Sequence, residues 1–152
     1  MGRDPGAEAG GPIPITASEL RVLVVEHGAI LREGIRRVVD GAPGLRVVAA
    51  ASEAQAALTA SRTLHPEVVL IDSRLPNQMA FFLTRTAIRE SPSARVVMLS
   101  DDVDEGLVQQ AAEAGAAAVV VERIGADDLG AVLRTVGGAS VDFLGYVVRK
   151  AG

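Results

Sequence analysis

The chain has 152 residues, 49% of them hydrophobic, and a formal net charge of −4. That length allows one domain with a single good core, and an acidic chain lacks the basic face needed to displace counterions from nucleic acid. Cysteine is absent, which excludes disulfides, thiolate metal sites and Cys nucleophiles together.

Residues 1–19 are rich in Gly, Pro and Ala and cannot bury enough apolar surface to offset ordering, so a disordered N-terminal tail is expected there. No signal-peptide series opens the chain, and apolar runs such as Ala116–Val121 are far too short to span a bilayer. The expectation is a cytoplasmic protein with no membrane contact.

From Arg21 the pattern becomes regular. Short β-branched runs occur at Val22–Val25, Leu45–Ala50, Val68–Ile71, Val96–Leu99 and Ala118–Val121. Between them lie segments of helical spacing, with Leu31, Ile35 and Val38 marking the first and Leu129, Val132, Leu133 and Val136 the last. The second, third and fourth helices read as about Glu53–Leu64, Gln78–Arg89 and Val103–Ala114. Near-continuous apolar strands joined by helix-length crossovers predict a parallel sheet covered on both faces, a three-layer doubly wound α/β domain over residues 20–138. Gly41-Ala42-Pro43-Gly44, His65-Pro66 and Ser91-Pro92-Ser93 fall where helices should return to strands. After Gly138, Ser140 is placed to cap a short amphipathic helix carrying Val141, Phe143, Leu144, Val147 and Val148. Residues 139–152 therefore read as a C-terminal helix packed on the domain, or as the start of a linker or a subunit contact.

In such folds ligands bind outside the carboxyl ends of the strands. Those ends carry Glu26-His27, Asp72-Ser73-Arg74-Leu75-Pro76, Ser100-Asp101-Asp102 and Glu122-Arg123. If Glu26, Asp72, Asp101 and Glu122 converge, repulsion should raise some of their pKa values, and His27 or Arg74 is placed to act as an internal counter-ion. Blander readings stay open: Asp72 as the cap of a following turn, His27 as an exposed loop residue. Arg32, Glu33, Arg36 and Arg37 read as the solvated face of the first helix, and Asp101, Asp102, Asp104 and Glu105 as caps of the fourth. Of Phe81 and Phe82, neighbours on a helix, one should be exposed.

The ordered set, with "LREGIRRVV", "EVVLIDSRLP", "ARVVMLS" and "EAGAAAVVVE", resembles the receiver domain of bacterial two-component response regulators, particularly the NarL/FixJ branch, over about residues 20–148. The resemblance implies a flavodoxin-like five-stranded sheet of order 2-1-3-4-5, with two helices on one face and three on the other. It places the phosphoacceptor on Asp72, the switch hydroxyl on Ser100, the aromatic switch position on Val119, the acid pair on Glu26 and His27, and the catalytic Lys on Glu122. The family's direct Mg²⁺ ligand falls on His27, a poor replacement for a hard-ion ligand. Glu122 reverses the charge of the Lys position. That loss does not depend on alignment, because the only lysine, Lys150, lies beyond the fifth strand.

The leading expectation is a non-enzymatic, atypical receiver of a transcriptional regulator. It has no catalytic residue and a degenerate pocket of Glu26, His27, Asp72, Ser100 and Glu122. It needs no cofactor, with Glu26 and Asp72 holding Mg²⁺ only weakly if at all. A homodimer is expected, formed through the first and fifth helices or through the fourth helix, fifth strand and fifth helix. A small-molecule ligand in place of phosphate stays an open reading. DNA binding would belong to a C-terminal helix-turn-helix domain missing from this chain, which reads as truncated or, less favoured, as a stand-alone receiver. The alternative is a conventional phospho-acceptor modified at Asp72. A nucleotide-binding or hydrolytic enzyme of flavodoxin-like fold has no support, since there is no Gly-rich phosphate loop and no G-x-S-x-G elbow.

Overall fold

The computed structural model describes residues 19–138 and 146–148, the latter for the backbone only. Five strands, β1 (Leu20–Val25), β2 (Leu45–Ala51), β3 (Val68–Asp72), β4 (Arg95–Ser100) and β5 (Ala118–Val121), alternate with helices α1 (Ala29–Asp40), α2 (Ala54–Leu64), α3 (Met79–Glu90), α4 (Glu105–Ala114) and α5 (Ala126–Gly138). All pairings are parallel, and these five lie in the order β2-β1-β3-β4-β5, as the resemblance implies.

Strand side chains alternate between the two faces, so each strand feeds two cores. Leu23, Val25, Val69, Ile71, Met98 and Val119 pack with α2, α3 and α4 through residues such as Leu58, Leu83 and Ala111. Val22, Val24, Leu70, Val97 and Val120 pack on the opposite face against Ile35 and Val39 of α1 and Leu129, Val132, Leu133 and Val136 of α5. β3 is buried throughout, which explains why its sequence reads as an unbroken apolar run ending in Asp72. Among the described residues no helix is long and apolar enough to cross a membrane.

The differences from expectation are local. On α1 the buried positions are Ile35 and Val39, whereas Val38 is partly exposed, so the stripe lies one residue further round than the Leu31, Ile35, Val38 spacing suggests. Phe82 is 44% exposed while Phe81 packs against the core, as adjacent helical positions require. Pro76–Gln78 form a separate 3-10 turn in which Asn77 and Gln78 adopt left-handed φ angles of 59° and 58°, so α3 starts at Met79. The C-terminal expectation is corrected most. Tyr146–Val148, assigned to a helix by their apolar spacing, form a sixth strand, β6, parallel to β5. A three-residue run is too short for periodicity to separate helix from strand. Ser140 and the rest of that predicted helix, like the tail at residues 1–18, lie outside the described residues.

Gly115 ends α4 at φ +104°, where its N–H and that of Ala116 both donate to the Ala111 carbonyl. A Cβ at this position would lie 2.9 Å from Ile88 Cδ1. Left-handed strain and overpacking act together, so Gly115→Ala should destabilise the domain by about 2 kcal/mol in urea denaturation.

Candidate functional site

The carboxyl ends of β1, β3, β4 and β5 bring Glu26, Asp72, Ser100 and Glu122 to one end of the sheet. Glu26 and Asp72 are 3% and 4% exposed, so two carboxylates are buried side by side. Their environments differ. Asp72 Oδ1 accepts the Arg74 backbone N–H at 2.8 Å and Arg74 Nε at 3.0 Å, while Oδ2 accepts Arg74 Nη2 at 3.2 Å. This two-pronged fork is the geometry that suits guanidinium to carboxylate. Glu26 has no such cation: Oε2 accepts the Gly28 N–H at 2.8 Å, and Oε1 is buried with no donor among the described residues.

The two acids therefore separate in pKa. Burial, reinforced by the neighbouring Asp72 carboxylate, pushes Glu26 up to about 7. Burial pushes Asp72 the same way, but hydrogen bonds from Glu26 and Arg74 outweigh it and hold Asp72 below the usual carboxylate range. Glu26 is thus the acid that keeps its proton to higher pH and Asp72 the one that ionises first, as expected of two close carboxyls that resist ionising together.

Arg74 reaches further. Its Nη2 also bonds Glu122, and its Nη1 lies 3.6 Å from Asp101 Oδ2. The acids thus converge on a guanidinium supplied by the loop after β3. Of the two counter-ions considered from the sequence, the structure selects Arg74. His27 is exposed, and among the described residues its side chain makes no hydrogen bond or ion pair with these acids. It lies instead on the rim of a cavity of about 350 Å³ with Glu53, Ala54, Gln55, Leu75, Pro76, Asn77 and Met79.

Ser100, 4% exposed, donates to the Asp102 carbonyl at 2.7 Å rather than to Asp72. Asp104 caps α4 by accepting the Leu107 N–H at 2.8 Å, while Asp101 serves the Arg74 cluster. Val119, at the expected aromatic switch position, is buried in β5. Arg32 departs from its expected place on a solvated helix face: Nη1 donates to the carbonyls of Glu26 at 3.0 Å and His27 at 3.3 Å, bracing the β1–α1 turn. Nothing in the i, i+3, i+4 pattern signals that role, because it depends on the turn folding back over the helix. Glu33, Arg36 and Arg37 do form the solvated ion-paired face.

The donor set does not fit Mg²⁺. Both Asp72 oxygens are occupied by Arg74, position 27 offers an exposed imidazole, and no group of three acidic or His side chains gathers closely enough to hold a metal ion among the described residues.

A buried acid pair at the end of β1 and β3, a hydroxyl after β4 and a doubly wound sheet of this order define a receiver-type signalling domain. Comparison with known proteins agrees: residues 22–134 match the response regulator receiver domain, and the chain belongs to that family. It is 31% identical to the response regulator GacA of Pseudomonas viridiflava over 117 residues, covering 77% of this chain and 55% of that protein. It is 26% identical to the transcriptional regulatory protein DegU of Brevibacillus brevis, covering 84% and 55%. The chain spans about half the length of these relatives. Among solved structures, a LuxR-family two-component response regulator from Aurantimonas sp. superposes with TM-score 0.70 at 30% identity, covering 76% of this chain and 86% of the other. The signal receiver domain of NarL from Mycobacterium tuberculosis gives 0.72 at 27% identity, covering 80% and 99%.

Proposed function

We propose that this receiver is atypical, a cytoplasmic and non-enzymatic regulatory module that switches without phosphorylation at Asp72. The observation that carries the reading is the Arg74 fork. A phosphoryl group entering such a site needs a free carboxylate oxygen and cations to neutralise its equatorial oxygens. Here the acceptor's oxygens are occupied, the one cation in contact with the acids among the described residues is already paired, and Glu122 adds a negative charge. The site carries its own neutralising group in place of phosphate-dependent charge balance.

The input is then a molecule other than phosphate, and the cavity beside His27 supports a small ligand as that input. The output is control of transcription, the role that the transcriptional regulatory protein DegU carries in its name. DNA would be reached through a helix-turn-helix domain beyond the receiver, in a homodimer. Of the two dimer faces considered, α1 with α5 is the better supported. A groove of about 220 Å³ there is lined by Leu31, Ile35, Val38, Ile124 and Leu129, whereas β6 covers the β5 edge of the other face.

Incubation with acetyl phosphate and Mg²⁺ followed by intact-mass measurement should give no phosphoryl-sized adduct. An adduct abolished by Asp72→Ala would overturn the proposal in favour of a conventional phospho-acceptor.

A further inference from the structure

β5 is only Ala118–Val121, an apolar strand whose residues are almost fully buried. One side of it pairs with β4, from Val97↔Ala118 to Ser100↔Val121. Without β6 its other side would be a bare sheet edge, a row of unpaired N–H and C=O groups that invites pairing with another chain. The chain covers this edge itself. β6 returns after α5 and pairs in the register Ala118↔Tyr146, Val119↔Val147 and Val120↔Val148.

Two features make this strand more than an edge cover. Because β6 is parallel to β5, its last residue, Val148, lies at the end of the sheet that carries the acid cluster. In addition, Val120, the partner of Val148, stands two residues before Glu122. Glu122 closes the β5 end twice: its N–H donates to the Ser100 carbonyl at 2.7 Å, and its carboxylate pairs with Arg74. The guanidinium that holds Asp72 therefore also fixes the strand on which β6 lies.

We propose that Tyr146–Val148 form a detachable latch strand, docked on β5 while the Arg74–Glu122 pair is closed and released when that pair opens, so that the state of the acid cluster sets whether the β5 edge is covered. Three residues paired on one side make a ladder short enough to open without unfolding the sheet, since terminal units open at lower free energy than core strands. The inference rests on backbone pairing and the Arg74–Glu122 contact, and it stands whether or not Asp72 is ever phosphorylated.

Residue-resolved amide hydrogen exchange on the full chain tests it. Val147→Pro removes an N–H and strains the extended pairing. It should speed exchange of the β5 amides facing β6 by about tenfold while leaving those of β1 and β3 unchanged. Glu122→Ala, which keeps the backbone intact, should speed exchange at residues 146–148 by several-fold. Unchanged β5 exchange in Val147→Pro would show that β6 does not cover the edge. Equal acceleration in β1 and β3 would show a strand integral to the fold rather than a latch. Unchanged exchange at residues 146–148 in Glu122→Ala would break the link to the acid cluster. Any of these three results overturns the proposal.

Discussion

Replacing Glu26 by glutamine should make the domain more stable by about 2–3 kcal/mol at pH 8 and remove most of its pH dependence between about pH 4.5 and 7. Glu26 is 3% exposed, its Oε1 has no donor, and burial raises it from 4.5 to about 7. The folded state thus holds this proton more tightly than the unfolded chain does. The stability it contributes is complete below about pH 4.5 and is lost as pH rises through about 7. A rise of that size corresponds to about 3 kcal/mol across the window.

Asp72 acts in the opposite sense. Its folded pKa lies below the ordinary 3.8, so its contribution is present above that value and is lost only as pH falls through the lowered one. It does not reverse the slope between 4.5 and 7. Because the charge of each acid acts on the other, the titration belongs to the pair. Glutamine reproduces the protonated form at every pH: its oxygen can accept the Gly28 N–H and its amide can donate to Asp72. Urea denaturation at pH 5, 6, 7 and 8 reads the difference. The native midpoint should fall across the series and the Glu26→Gln midpoint should stay nearly level. A parallel fall in both proteins would remove Glu26 as its source.

The contrast between Glu26 and Asp72 marks the boundary of what the sequence discloses. Alternating β-branched runs and helical spacing locate the five strands and the second, third and fourth helices within a residue or two, because burial on both faces leaves little freedom in where apolar residues fall. Strand-end position alone brings Asp72, Glu26, Ser100 and Glu122 to one end of the sheet. The partners of those residues follow different rules. Arg74 and His27 are both placed to be the counter-ion, and the choice is made by loop geometry: Arg74 follows Asp72 by two residues and folds its fork back, while His27 points out of the cluster. Arg32 is hidden for the same reason, since its carbonyl contacts depend on the β1–α1 turn. β6 is missed because Tyr146-Val147-Val148 fits a helix face as well as a strand, and only the vacant β5 edge decides between them.

Arg74→Ala should have the largest destabilising effect in the cluster, about 2 kcal/mol near neutral pH. Removing one partner of a buried ion pair costs about 3–5 kcal/mol when the remaining charge is fully desolvated. Arg74 is 40% exposed, so solvent screening reduces that figure. Asp72 also keeps the backbone N–H of residue 74. What the variant lacks is the charge that holds Asp72 low, so the acid pair should retain protons to higher pH and the loss of stability should grow above pH 7. Arg74→Lys should recover less than half of the loss, because a compact ammonium cannot span both Asp72 oxygens and Glu122 as the planar fork does. Double-mutant cycles separate the arms. Glu122 is 30% exposed, and its coupling to Arg74 should be about 0.5–1 kcal/mol, whereas Asp72, 4% exposed, should couple to Arg74 by more than 1 kcal/mol. Larger coupling to Glu122 than to Asp72 would mean that Arg74 chiefly clamps the β5 end, and that charge neutralisation of the acceptor is secondary.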